Sequence, residues 1–206
     1  MPQTTANKRV KKTKSKKSKV PKESNEPEDR LSDDELTELI VSMESDITHF
    51  AEIVCDDVVT TKIPEFHKDI YNLAVEKPRI ALAAPRGFAK STIIAKIYPL
   101  WLAITKKKKD ICIISASETL AVDHMRYIKQ AIEANPWIQS IWGNLKSDKW
   151  SENHIIILHP DGTRINIRAK GAGGQIRGFR PDCLILDDIE TDESVTSEDQ
   201  RKKLKD

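Results

Sequence analysis

Four short runs in this chain are apolar from end to end: Ile80-Ala-Leu-Ala83, Ile111-Cys-Ile-Ile114, Ile155-Ile-Ile-Leu158 and Cys183-Leu-Ile-Leu186. A strand open to water on one face alternates apolar with polar residues, whereas a strand covered on both faces reads as a continuous apolar run. Between these runs lie stretches whose apolar residues recur every three or four positions, the period of an amphipathic helix. One such set is Leu120, Ala121, Met125, Ile128 and Ile132, capped by Ser115-Ala-Ser-Glu118. Helices alternating with buried strands predict an α/β fold, a parallel sheet with helices on both faces.

Order is expected to begin at Ser32, where Ser32-Asp-Asp-Glu35 has the form of a capping box. Leu36, Leu39, Ile40, Met43, Ile47, Phe50, Val54 and Val58 continue as an amphipathic helix, broken near Asp56. Pro64 starts a second helix with Phe66, Ile70, Leu73 and Ala74 on one face. A helix from Lys90 to about Thr105 should kink at Pro99, and Pro136 begins a short helical turn. Pro160-Asp161-Gly162 joins Ile155–Leu158 to Thr163–Ile167 as a β-hairpin. Ser197–Lys205 reads as the start of a capped helix. The expected division is a tail, residues 1–30, and a single domain, 31–206, with N-terminal helices (31–77) and a core (78–206).

Charge separates tail from domain. The whole chain carries 34 basic and 32 acidic residues, but residues 1–22 hold nine cations and no acid. Without them 25 basic residues face 32 acidic ones, a net of −7. A segment so rich in Lys and so poor in apolar residues cannot form a core and is expected to be disordered. It has three readings: a solvated tail, a nuclear-targeting signal, or an arm that contacts nucleic-acid phosphates by releasing counterions. Cys55, Cys112 and Cys183 are few and widely spaced, which predicts reduced thiols in a reducing compartment. No run approaches 18 apolar residues, and the basic N-terminus lacks an apolar segment, so a soluble intracellular protein without a membrane role is expected.

The first apolar run ends at Ala84-Pro85-Arg86-Gly87-Phe88-Ala89-Lys90-Ser91, and Thr92-Ile-Ile-Ala95 follows. Strand, loop and helix in that order, with Lys-Ser closing the loop, is the layout of a phosphate-binding P-loop. There the backbone N–H groups wrap a polyphosphate, Lys reaches the β/γ-phosphates and Ser binds Mg²⁺. The usual pattern, G-x-x-x-x-G-K-[ST], has Gly where this chain has Ala84 and Ala89. A left-handed backbone at an alanine costs about 1–2 kcal/mol, whereas a right-handed one at Ala89 would cost little. A second site element lies 97 residues beyond Lys90: the run Cys183–Leu186 ends in Asp187-Asp188. Acids at the C-terminal end of a strand sit where open α/β sheets bind ligands. Asp187 is placed to hold Mg²⁺, and Asp188 to polarise the water that attacks the γ-phosphate, with Glu190 as a rival for that role. Read in isolation, the pair could equally cap a helix or a turn.

These two motifs and their surroundings resemble the large terminase subunit of tailed bacteriophages, an ATP-driven DNA-packaging motor. The resemblance covers roughly residues 64–190. It rests on Pro64-Glu-Phe-His-Lys-Asp-Ile-Tyr71, Ala84–Thr92, Ile114-Ser-Ala-Ser-Glu118 and, above all, Ile176-Arg-Gly-Phe-Arg-Pro-Asp-Cys-Leu-Ile-Leu-Asp-Asp-Ile-Glu190. It implies a P-loop NTPase core of the ASCE type with ATP and Mg²⁺ as ligands, working as a homo-oligomeric ring in the cytoplasm of an infected host cell. Double-stranded DNA, a portal protein and a small terminase subunit are the implied partners. Arg86 matches an Arg often found in terminase P-loops, and Arg177 matches an Ile-Arg-Gly habit of the family. The chain stops at Asp206, before the strand and the nuclease domain that the resemblance implies, so an incomplete ATPase domain is expected, with a helicase-like nucleic-acid motor or a non-hydrolysing nucleotide- or DNA-binding remnant as the alternatives.

Other residues carry weaker expectations. Arg177 and Arg180 could reach a γ-phosphate or a ring neighbour, or be surface arginines. Gly171, Gly173, Gly174 and Gly178 fit either a switch loop or a plain connector. His67 and Tyr71 fit adenine contact or a half-exposed structural pair. Trp137, Trp142 and Trp150, interleaved with Lys146 and Lys149, could stack on bases, though core packing is the stronger expectation.

Overall fold

The computed structural model describes residues 31–173 and 180–189. The basic tail, most of the glycine-rich stretch and the helix expected from Ser197 lie outside the described residues. Helices α1 (Asp33–Ser45), α2 (Ile47–Val54) and α3 (Glu65–Glu76) precede the loop. After it come a π-helical segment (Thr92–Ile97), α4 (Tyr98–Ile104), β1 (Asp110–Ser115), α5 (Glu118–Ala134) and α6 (Pro136–Trp142). Strands β2 (Lys146–Trp150), β3 (His154–Leu158), β4 (Arg164–Gly171) and β5 (Cys183–Asp187) complete the order.

The five strands form one open sheet in the order β2-β3-β4-β1-β5. Strand β1 lies between β4 and β5 and runs parallel to both. Residues Ile111 to Ser115 are all buried, which is why their run is unbroken by polar side chains. The expected hairpin is present as the antiparallel pair β3–β4. Its turn closes through Gly162, whose φ of 84° glycine adopts without steric penalty. The sheet is therefore mixed rather than wholly parallel, because β2 and β3 add antiparallel strands to the parallel trio.

Two expectations about strands fail. Ile80–Ala83 forms no strand, and Ile80 is exposed. An apolar run becomes a strand only when a neighbour takes up its backbone hydrogen bonds, and none of the five strands lies paired with it. The run in β5 is not covered on both faces either. Ile185 is buried, but Leu184 and Leu186 are 51% and 53% exposed. One face of this edge strand is open.

The N-terminal helices begin as expected: Ser32 N–H donates to Glu35 Oε2 at 2.9 Å, and Glu35 N–H donates to Ser32 Oγ at 3.3 Å. The expected break near Asp56 is present, since α2 ends at Val54 with Cys55 as its C-cap, and a further break falls at Asp46. Asp46 leaves helical geometry (φ −126°, ψ 111°), and its carboxylate accepts from Thr48 N–H at 2.7 Å to cap α2. A short acidic side chain competes with the helix for backbone N–H groups, and here it starts a new helix.

The helix after the loop also differs from its expected form. Residues 92–97 are π-helical, with Tyr98 N–H donating to Ile93 O, five residues back. Pro99 has no N–H and its ring crowds the carbonyl four residues before it. The wider register ahead of it carries the chain into α4 without ending the helix.

The core joins these helices to the sheet. The Trp101 indole N–H donates to Met43 O at 2.9 Å, and Tyr98 Oη donates to Ala74 O at 2.8 Å, so α4 holds α1 and α3. Asn135 caps α6 through Trp137 and Ile138 N–H, and its amide donates to Val54 O at 2.6 Å. Trp137, Trp142 and Trp150 are partly buried and pack against the core. The cysteines are free thiols; burial pushes Cys55 up to about 12 and Cys183 to about 11. No helix among the described residues is long and apolar enough to cross a membrane.

Candidate functional site

Residues 84–91 pass from the unpaired apolar run into the π-helical segment and bend through two left-handed positions, Gly87 at φ 85° and Ala89 at φ 54°. Glycine takes such a conformation freely, but alanine does not. The inexpensive right-handed geometry at Ala89 is therefore not the one adopted. Substituting Ala89→Gly relieves that strain of about 1–2 kcal/mol, less the 0.4–1 kcal/mol that glycine adds to unfolded-chain entropy. The melting temperature should rise by about 1–4 °C, read by circular dichroism. A lower melting temperature would contradict the strain.

The loop is held by its own lysine. Lys90 Nζ donates to Ala84 O at 2.6 Å and Pro85 O at 3.0 Å, drawing the two ends of the turn together. The Ser91 hydroxyl donates to Asp187 Oδ1 at 2.9 Å. That bond joins residues 96 apart in sequence. Asp187 Oδ2 lies 3.0 Å from Nε2 of His124, a residue of α5. Burial pushes the Asp187 carboxyl up, but hydrogen bonds from His124 and Ser91 and the nearby Lys90 charge outweigh it, so it lies below its ordinary value. It is an ionised carboxylate beside a hydroxyl, the hard oxygen pair that suits Mg²⁺.

Asp188, one residue on, is also left-handed, at φ 45°. Its carbonyl accepts from Ala116 N–H at 3.1 Å, which ties the end of β5 to the turn after β1. Of the three non-glycine residues with positive φ among those described, Ala89 and Asp188 both line one cavity of about 430 Å³. The rest of its wall is Arg86, Gly87, Phe88, Lys90, Ser91 and Thr92. Strained backbone gathers at sites where geometry matters more than stability, and here two such residues share one cavity wall.

The structure thus brings together Arg86 through Thr92 with Asp188, sets Asp187 behind Ser91, and uses Ala84 and Pro85 as acceptors for Lys90. Arg177 and Glu190 lie outside the described residues, so only Asp188 of the two rival carboxylates is placed at the cavity. Arg180 is exposed. Of the earlier aromatic pair, Tyr71 is 1% exposed and belongs to the core, so it cannot contact a ligand. His67 is beside the loop, its Nε2 3.2 Å from Phe88 O. Phe66 and Phe88, ring centroids 5.4 Å apart and both 41% exposed, form an aromatic shelf at the loop, a pairing the sequence did not show. His124 is the one site residue that sequence reading missed. Gly171 has a packing role: a Cβ there would lie 2.7 Å from Glu118 N, so glycine lets β4 approach the start of α5.

In comparisons with known proteins, no family model matches this chain and no curated protein matches it.

Proposed function

We propose that this chain is the P-loop ATPase domain of a protein similar to phage terminase large subunits, hydrolysing Mg-ATP to drive double-stranded DNA into a capsid. The observation that carries the reading is the 2.9 Å bond between Ser91 and Asp187, which joins the Lys-Ser loop to the acidic strand end. In this reading Ser91 and Asp187 are the Walker A and Walker B residues and would hold Mg²⁺, which supplies positive charge to the phosphates. Lys90 leaves the Ala84 and Pro85 carbonyls for the β/γ-phosphate oxygens, a stronger charge-assisted partner. The loop N–H groups wrap the phosphates, and Arg86 lends a second cation at the cavity wall. Asp188 accepts a proton from the attacking water and orients it in line.

The motor context rests on the resemblance together with the nine cations of residues 1–22, which suit a DNA backbone. A ring of copies, a portal protein and a small terminase subunit in an infected host cell complete the proposal. A second reading, nucleotide binding without turnover, is favoured by the failure of residues 80–83 to join the sheet, which leaves one arm of the loop without strand support. Mg-ATP binding and phosphate release by the whole chain, with and without double-stranded DNA, separate the two.

A further inference from the structure

His124 lies on the buried stripe of α5 with Ala121, Met125, Ile128 and Ile132. It is 8% exposed, and Leu or Met would fill such a position with no polar atom to satisfy. Among the described residues the imidazole meets one polar partner, Asp187 Oδ2 at 3.0 Å, and its other nitrogen, Nδ1, is buried without a hydrogen-bond partner. A carboxylate only accepts, so the proton of this contact sits on Nε2, and Nδ1 is left without a partner of its own. Stranding a polar atom in a core is unfavourable, so the ring's benefit must come from the carboxylate it touches.

That benefit is directional. Asp187 ends an edge strand with one face open, and rotation about its terminal torsion would exchange or misdirect its two oxygens. His124 fixes Oδ2 from the α5 side, and Oδ1 is thereby left on Ser91. From this geometry we infer that His124 is a positioning residue for the metal site: it orients the Asp187 carboxylate so that Ser91 and Asp187 act together on a nucleotide-bound divalent cation. The inference rests on the nucleotide reading above. Partners that orient a metal ligand are typically worth 10–100-fold in metal affinity.

The test uses the whole chain, Mn²⁺ as the metal probe followed by electron paramagnetic resonance in the presence of ADP, and fluorescent ADP binding in excess EDTA. His124→Leu keeps the buried volume and removes the donor. It should raise the half-saturating Mn²⁺ concentration by about 10–100-fold, with nucleotide affinity in EDTA unchanged. His124→Gln, whose amide can donate to Oδ2, should recover most of that loss. If His124→Leu does not fold, by circular dichroism, His124→Ala takes its place in the same titration. Unaltered Mn²⁺ affinity in a folded variant lacking the donor overturns the inference, and so does an equal loss in His124→Gln. Wild-type chain that binds no nucleotide under either condition overturns the nucleotide reading instead, and this inference with it.

Discussion

Lys90→Ala is expected to weaken Mg-ATP binding by about 10- to 100-fold while leaving the fold intact. The ammonium is the cation closest to where the loop would hold phosphates, and a hydrogen bond to a charged group contributes about 1.5–3 kcal/mol. In the free chain the same group bonds, among the described residues, to the Ala84 and Pro85 carbonyls. Those carbonyls lie in a loop near solvent, and water replaces the lost bonds at small cost, so thermal stability should shift little. Lys90→Arg should not restore binding fully, because the planar fork is bulkier than the compact ammonium that the turn encloses. Nucleotide titration alongside thermal melting reads both quantities. A folded Lys90→Ala chain with wild-type affinity would remove the loop from the account.

The largest stability effect is expected at Trp101. This side chain is 1% exposed, stacks near Tyr98 at 6.4 Å between ring centroids and carries Lys107 Nζ 4.9 Å above its ring. Trp101→Ala opens a cavity at a cost of about 3–5 kcal/mol. It also strips Met43 O of its buried donor, which adds about 1–3 kcal/mol. Small domains have about 5–15 kcal/mol in total, so the variant should lose most of its urea resistance and be partly unfolded at 37 °C. Trp101→Phe keeps most of the ring volume but not the N–H, and should lose roughly the hydrogen-bond share alone. Equal losses in the two variants would show that the N–H bond to Met43 O, absent from both, and not ring volume, sets the stability. Wild-type stability in Trp101→Ala would contradict the central place given to this residue.

Much of the sheet was legible because burial leaves a direct trace in composition. Ile111–Ile114 has no polar position since β1 is covered on both faces, and the hairpin announced itself by Pro160-Asp161-Gly162 between two apolar runs. Strand β2 was not legible: Lys146-Ser-Asp-Lys-Trp150 is mostly polar, as an exposed edge strand must be. Ile80–Ala83 misled for the opposite reason. Its composition is that of a strand, but strand formation depends on a neighbour that the run itself does not encode.

At the site, Lys90, Ser91, Asp187 and Asp188 could be found because their chemistry is tied to local spacing. Ala89 could be located but not its left-handed backbone, since the loop's closure by Lys90 is a tertiary fact. His124 was hidden because a single histidine on an amphipathic helix looks like part of the helix's core stripe. Its partner lies 63 residues away in sequence, and only the packing of α5 against β1 and the π-helical segment brings them together. Phe66 and Phe88 were read as a helix face and a loop position, and their pairing depended on how α3 meets the loop.

The most direct measurement is isothermal titration calorimetry of ATP into the whole chain in the presence of Mg²⁺, followed by phosphate release in the same samples with and without double-stranded DNA. The account predicts saturable binding at one site per chain, dependent on Mg²⁺, with phosphate released and the rate raised by DNA. Saturable binding with no phosphate released would retain the nucleotide site and overturn the ATPase. No saturable binding at millimolar ATP would contradict the account at its centre, leaving the Ser91–Asp187 contact as a feature of packing alone.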